Sequence, residues 1–229
     1  MMPPSPPLQI RTRTGEKESV AIGLVMVATF DGKCKIITTH RGSFHVEMGS
    51  RRRLSAYAKA HFFTPRGQKG ETACINLDRV VSIGASNGEI VVHFGQNHIR
   101  VTSPDDLSSM PKAAFFKLAD GRFVSLEKAF YVDEEKLHFP GIAIPVGKVG
   151  VQELHAAIKS TWIPFNGGML NPAATRFREG ARLYFDDDVH LAVTLLPPET
   201  RRALEMDAWP MIGGVAVRPL NRKEAALDS

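Results

Sequence analysis

A chain of 229 residues, 43% of them hydrophobic, can bury the core of one large or two small domains. Its two cysteines, Cys34 and Cys74, have no CxxC or metal-ligand spacing and read as reduced, mostly buried thiols of a cytoplasmic protein. The net charge of +5 is uneven. Residues 1–78 carry 12 Lys+Arg against 6 Asp+Glu, and residues 79–229 carry 17 against 18, the distribution a polyanion-binding face produces.

The chain opens on "MMPPSPPLQIRTRTGEKE", where proline occupies the place of an apolar leader core, so residues 1–19 read as a flexible tail. The longest apolar stretch, "VAIGLVMVATF", is far shorter than the roughly 20 residues that span a bilayer, so no membrane partner is expected. "TTHRGSFHVEM" then reads as a hairpin with His40 opposite His45 across a Gly42-Ser43 loop. "SRRRLSAYAKA" follows as a short helix capped by Ser50. Its first turn holds Arg51, Arg52 and Arg53, which oppose the helix dipole and so suggest a further use. Phe62-Phe63 and Phe115-Phe116 read as core.

A longer unit, "INLDRVVSIGASNGEIVVHFGQNHIRVTSPDDL", parallels "VSLEKAFYVDEEKLHFPGIAIPVGKVGVQEL" from start to end. Each has a β-branched residue, a polar residue, Leu, an acid and a base, then a strand, a hairpin and a helix signal. In the first, a Gly95-Gln96 loop sets His93 opposite His98. In the second, Pro140-Gly141 sets His138 opposite Ala143. Ser103 with Pro104 and two acids forms a helix start. With residues 22–60 the chain therefore holds three half-units of strand, strand-turn-strand and short helix. Beyond these, residues 160–172 read as a turn-rich linker. "ARLYFDDDVHLAVTLL" reads as a hairpin, "PPETRRALEMDAW" as a short helix and "GGVAVRPL" as a closing strand.

Directly opposed histidines stand close enough to share a metal. However, the third hairpin replaces one partner by Ala143, and no third ligand lies nearby, so the pairs read as repeat markers and no metal is expected. Asp186, Asp187, Asp188 and His190 form a turn rather than a cation cage. No G-x-S-x-G, P-loop or G-x-G-x-x-G is present, so neither an enzyme nor a cofactor is expected.

The order of features from residue 20 to 159 resembles the LytTR family of bacterial DNA-binding domains, carried by "AAFFKLADGRFVSLEKAFYVDEEKLHFPGIAIPVGKVGVQEL" in one register and "HFFTPRGQKGETACINLDRV" in an overlapping one. The resemblance implies a mainly β fold of repeated antiparallel units with short helices, followed by a small α+β extension. The expected organisation is a tail at 1–19, a basic LytTR-like domain at 20–110, a further half-unit at 111–159, and the linker and extension at 160–229. It also implies a cytoplasmic transcription regulator that reads duplex DNA through loops. One register places Asn87, Asp120 and Lys148 at the contact points. The other places Cys34 or Lys35, the Arg66–Lys69 loop and Ser103 there, with Lys33, Lys35, Arg51, Arg52, Arg53, Arg66 and Lys69 on phosphates. Neither register keeps the family's His-x-Ser loop, and Asp120 has the wrong sign for phosphate. The alternative is a non-enzymatic adaptor that binds another regulatory protein on the same scaffold.

Overall fold

The computed structural model describes residues 7–219 apart from 13, 31–33, 39–41, 66–72, 103–106, 108–109, 111–113, 187–188 and 213. The chain divides into two compact units: Met2–Lys117 with Gly121–Ser125, and Leu118–Asp120 with Leu126–Ser229. Among the described residues the strands form four antiparallel sheets, two in each unit.

The first unit opens with β1 (Leu8–Arg11), β2 (Lys17–Val20), β3 (Val25–Thr29), β4 (Lys35–Thr38), β5 (Gly42–Val46), helix α1 (Met48–His61), β6 (Phe62–Phe63) and β7 (Ala73–Asn76). Its first sheet runs β2-β1-β5-β4-β3-β7-β6. The second sheet holds β8 (Ser82–Ser86), β9 (Glu89–Phe94), β10 (Asn97–Thr102), β11 (Phe116–Lys117) and β12 (Phe123–Val124), in the order β10-β9-β8-β12-β11.

In the second unit one sheet comprises β13 (Tyr131–Val132), β14 (Lys136–Phe139), β15 (Ile142–Pro145), β16 (Ile163–Phe165) and β17 (Gly168–Leu170), with α2 (Gly147–Ile158) between β15 and β16. The other comprises β18 (Phe177–Glu179), β19 (Arg182–Tyr184), β20 (His190–Ala192), β21 (Met211–Ile212) and β22 (Val215–Val217), with α3 (Pro198–Ala203) between β20 and β21. Their orders are β15-β14-β13-β17-β16 and β20-β19-β18-β22-β21.

One topology therefore recurs four times: a three-strand meander, a crossover, and a hairpin whose last strand returns beside the first. In the first sheet this is β5-β4-β3-β7-β6, extended by the β1-β2 hairpin. The mainly β class and the repetition agree with the sequence; the fourth copy is additional, built from the residues read as an extension.

Alternation sets the faces. Ile10, Ile36, Phe44 and Val46 point to one side of the first sheet, where α1 adds Leu54 to the same buried cluster. The opposite side contributes Val27, Ile75 and Phe63 to a cluster with Ile83, Ile90, Val92 and Phe123 of the next sheet. In the second unit, Phe130, Phe165 and Leu170 join Leu183, Phe185 and Leu191 in the same manner.

The repeated "INLDR" type of start is a 3-10 turn that leads into the first strand of a copy. Turns lie at Leu77–Arg79, Leu126–Lys128 and Pro172–Ala174. Asn76 and Asn171 fix two of them from the inside. Asn76 Nδ2 donates to the Val25 carbonyl at 2.7 Å, and its Oδ1 accepts from the Asp78 amide at 3.1 Å. Asn171 repeats the pattern with the Ala129 carbonyl at 3.0 Å and the Ala173 amide at 3.1 Å. Both side chains are buried, so these bonds satisfy backbone groups that water does not reach.

Four expectations are corrected. Residues 1–19 contain β1 and all but the last residue of β2, and β1 pairs with β5 as well as β2. Burial of Leu8 and Ile10 holds it there. Residues 160–172 contain the β16-β17 hairpin, whose Leu170 lies opposite Tyr131 of β13. The first hairpin does not turn at Gly42-Ser43: Thr38 pairs with Gly42, and His45 faces Lys35. That register sets Ile36 opposite Phe44 and buries both, whereas the expected one would have set Arg41 there; His40 lies outside the described residues. Finally, α1 begins at Met48 with Glu47 as its N-cap. Ser50 instead accepts the Gln9 amide at 2.9 Å.

The other two hairpins match the sequence. His93 faces His98 and Phe94 faces Asn97. His138 faces Ala143 and Phe139 faces Ile142. The helix start at Ser103 lies outside the described residues.

Candidate nucleic-acid interface

The cations singled out in the sequence are dispersed. Lys33, Arg66 and Lys69 lie outside the described residues, and of Lys148 only the position in α2 is described. Arg51 and Arg53 are half-buried against their own chain. Arg51 Nε donates to the Val46 carbonyl at 3.5 Å, and Arg53 Nη2 donates to the Pro7 carbonyl and to Ser50 Oγ, each at 3.1 Å. Arg52 is exposed on α1. Lys35 projects from β4 on the side away from Ile36, and hence away from α1. The arginine run and Lys35 therefore sit on opposite faces of one sheet.

Asn87 has a local explanation. Asn87 (φ 53°) and Gly88 (φ 75°) are both left-handed, the pattern of a type I′ turn joining β8 to β9. Alanine at this position forfeits the tolerance of asparagine for that conformation and costs about 1 kcal/mol. Asn87→Ala is therefore expected to lower stability in urea denaturation, while Asn87→Gly leaves it within about 0.5 kcal/mol. Equal losses in both variants would contradict the turn role.

The structure assembles a different basic feature. Lys35 lies opposite His45, His45 opposite Arg11, and Arg11 opposite Lys17. Directly opposed residues share a face, so one row of basic side chains crosses β4, β5, β1 and β2. At roughly 4.8 Å per strand it extends over about 14 Å. His45, Arg11 and Lys17 are exposed and Lys35 is half-buried. Gln9 and Ser19 form the next polar pair on that face, with Gln9 Nε2 donating to Ser19 Oγ at 2.8 Å. Among the described residues a carboxylate stands at the row: Glu47 Oε1 accepts from Arg11 Nη2 at 3.0 Å and Nε at 3.1 Å.

Sequence reasoning missed Arg11, Lys17 and His45 because Arg11 and Lys17 fall in the segment read as a tail, and because the row exists only through strand pairing. The row sits in the unit that carries the positive charge. That unit holds 17 Lys+Arg against 9 Asp+Glu, while the other holds 12 against 15.

Other titratable groups serve local structure. The rings of His93 and His98 lie 5.7 Å apart. Burial first, then His98 and Arg122, push the His93 imidazole below the usual histidine range. Asp133 accepts the Glu135 and Lys136 amides at 2.9 and 2.7 Å and bonds His138 Nε2 at 2.7 Å. Burial raises its carboxyl, yet these donors together hold it below the ordinary carboxylate range. Asp186 accepts the Val189 amide at 2.6 Å, as a turn residue does, while Asp187 and Asp188 lie outside the described residues. Among the described residues no group of three His, Cys, Asp or Glu is placed to hold a metal, and no helix is long and apolar enough to cross a membrane.

No protein-family model matches the chain. No curated protein matches it either. Among solved structures it is similar to the LytTr DNA-binding domain of a Bacillus cereus protein described as a methyl-accepting/DNA response regulator. The identity is 13%, over 43% of this chain and 87% of that one, with a TM-score of 0.31.

Proposed function

We propose that the protein binds duplex DNA, as a transcription regulator, through the β2-β1-β5 end of the seven-stranded sheet and the adjoining Lys35 of β4, beside the part of that face that the next sheet covers. The observation that carries this reading is the row Lys35–His45–Arg11–Lys17, four basic side chains in register on one face of the more basic unit. A line of guanidinium and ammonium groups meets phosphate oxygens by charge-assisted hydrogen bonds and releases condensed counterions. Histidine adds charge to such a row only when protonated. Lys33, Arg66 and Lys69 belong to the same unit by sequence and add to its positive field. The LytTR resemblance in the sequence supplies the target class.

Fluorescence anisotropy with a labelled random duplex tests the reading. Binding is expected at low salt, and its absence there would favour the adaptor, which the acidic second unit suits better. Glu47 gives a sharper test. Its carboxylate competes with phosphate for Arg11, so Glu47→Gln is expected to tighten duplex binding about two- to fivefold, the scale of an exposed ion pair. Weaker binding in that variant would show that Arg11 does not face the DNA.

A further inference from the structure

In both units the second sheet covers the first through one particular row of side chains. In the first unit, Ile37, Val27, Ile75 and Phe63 lie opposite one another across β4, β3, β7 and β6. They pack with the apolar face of the next sheet. In the second unit, Tyr131, Leu170 and Ile163 form the equivalent row across β13, β17 and β16. They pack with Leu183, Phe185 and Leu191, and the Tyr131 ring stands 5.5 Å from that of Phe185.

The sheet of β18–β22 carries the same row. Val217 lies opposite Phe177, Phe177 opposite Tyr184, and Tyr184 opposite His190. Phe177 is stacked on Tyr184 with ring centres 4.6 Å apart, and Tyr184 lies 5.2 Å from His190. On the same face Ile212 pairs with Val215, and Glu179 pairs with Arg182. Ile212 is 63% exposed. Glu179, Arg182 and His190 are exposed as well, Phe177, Val215 and Val217 are half-buried, and Tyr184 between them is buried.

We propose that this face is covered by the same face of a second copy of the chain, in a two-fold, sheet-on-sheet contact. Two observations select that occupant. The position is one that the chain fills twice with an apolar sheet face of its own repeat, in the clusters around Val27 and around Tyr131. The polar edge is also self-complementary: a two-fold contact sets a patch against itself, so the adjacent Glu179 and Arg182 of one copy meet the opposite charges of the other. An aromatic and aliphatic centre with a charged rim is the usual composition of such an interface. The face belongs to the acidic unit and the basic row to the other, so the proposal stands independently of DNA binding.

The test is the mass of the full-length chain in solution, by sedimentation equilibrium from about 1 to 100 µM. A two-chain species is expected at the upper end, dissociating on dilution. Ile212→Glu, at an exposed position, is expected to give single chains throughout with an unchanged circular dichroism spectrum. Arg182→Glu sets like charges against each other and weakens association at least about tenfold. Adding Glu179→Arg to it restores opposite charges and recovers the two-chain species. Single chains at every concentration for the unaltered protein would overturn the proposal. So would a two-chain species that survives both Ile212→Glu and Arg182→Glu, or a charge swap that fails to restore association.

Discussion

Gly168→Ala is expected to unfold or severely weaken the unit that contains Leu126–Ser229. A Cβ at Gly168 would overlap the Val132 carbonyl oxygen and crowd the Asp133 Cα at 3.1 Å, both of them backbone. No rotamer relieves a backbone clash. Nor can β17 move aside, because it is hydrogen-bonded between β13 and β16 and its Leu170 is fully buried. The strands must separate, and overpacking of that kind costs about 3 kcal/mol or more. Against a stability of roughly 5–15 kcal/mol, that lowers the melting temperature by about 10 °C or more. Gly49→Ala is the control. It lies in α1 with nothing within 4 Å of the added atom, so helix propensity alone acts and stability rises by up to about 1 kcal/mol. A Gly168→Ala protein that melts with the parent would mean that β17 does not lie beside β13.

Replacing Arg11, Lys17 and Lys35 together by Gln is expected to remove most of the duplex affinity while leaving the fold intact. Three phosphate contacts contribute a log–log salt slope of about −2.7, so a fourfold rise in salt costs roughly 40-fold in affinity through these residues alone. All three side chains emerge on the side opposite Ile10, Ile36 and Leu54, and so the core cluster under α1 is not disturbed. Arg52→Gln is expected to change binding little, because α1 packs on that other side. Arg51 and Arg53 make a poorer comparison. Each already donates to a backbone carbonyl, so their loss affects the helix start as well as charge.

How far the sequence reveals this protein depends on the length of its strands. The six-residue β9 and β10 show clean alternation around a glycine turn, and their register is readable residue by residue. Strands such as "LQIR", "IPF", "GML" and "MI" are two to four residues long, some with proline or glycine, and have no period of their own. Pairing with longer neighbours and burial of Leu8, Phe165 or Leu170 make them strands. The fourth copy is hidden for the same reason, since each of its strands has at most three residues. Of the basic row, alternation along β4 identifies the side of the sheet to which Lys35 belongs. Nothing local states that β1 pairs with β5, and that pairing sets Arg11 opposite His45. The arginine run misleads in the opposite way: three adjacent charges look like one surface, yet two of them are turned to the backbone around Pro7 and Val46.

The central claim, that the basic row at the β2-β1-β5-β4 end of the seven-stranded sheet meets phosphates, is tested most directly by duplex affinity as a function of salt for the parent chain and the Arg11, Lys17 and Lys35 triple variant. The row predicts a slope of about −3 to −4 for the parent, shallower by about two to three units in the variant. Binding that keeps its full slope in the triple variant would contradict the claim, and a slope shallower by about one unit in Arg52→Gln would then move the DNA to the helix side of the sheet.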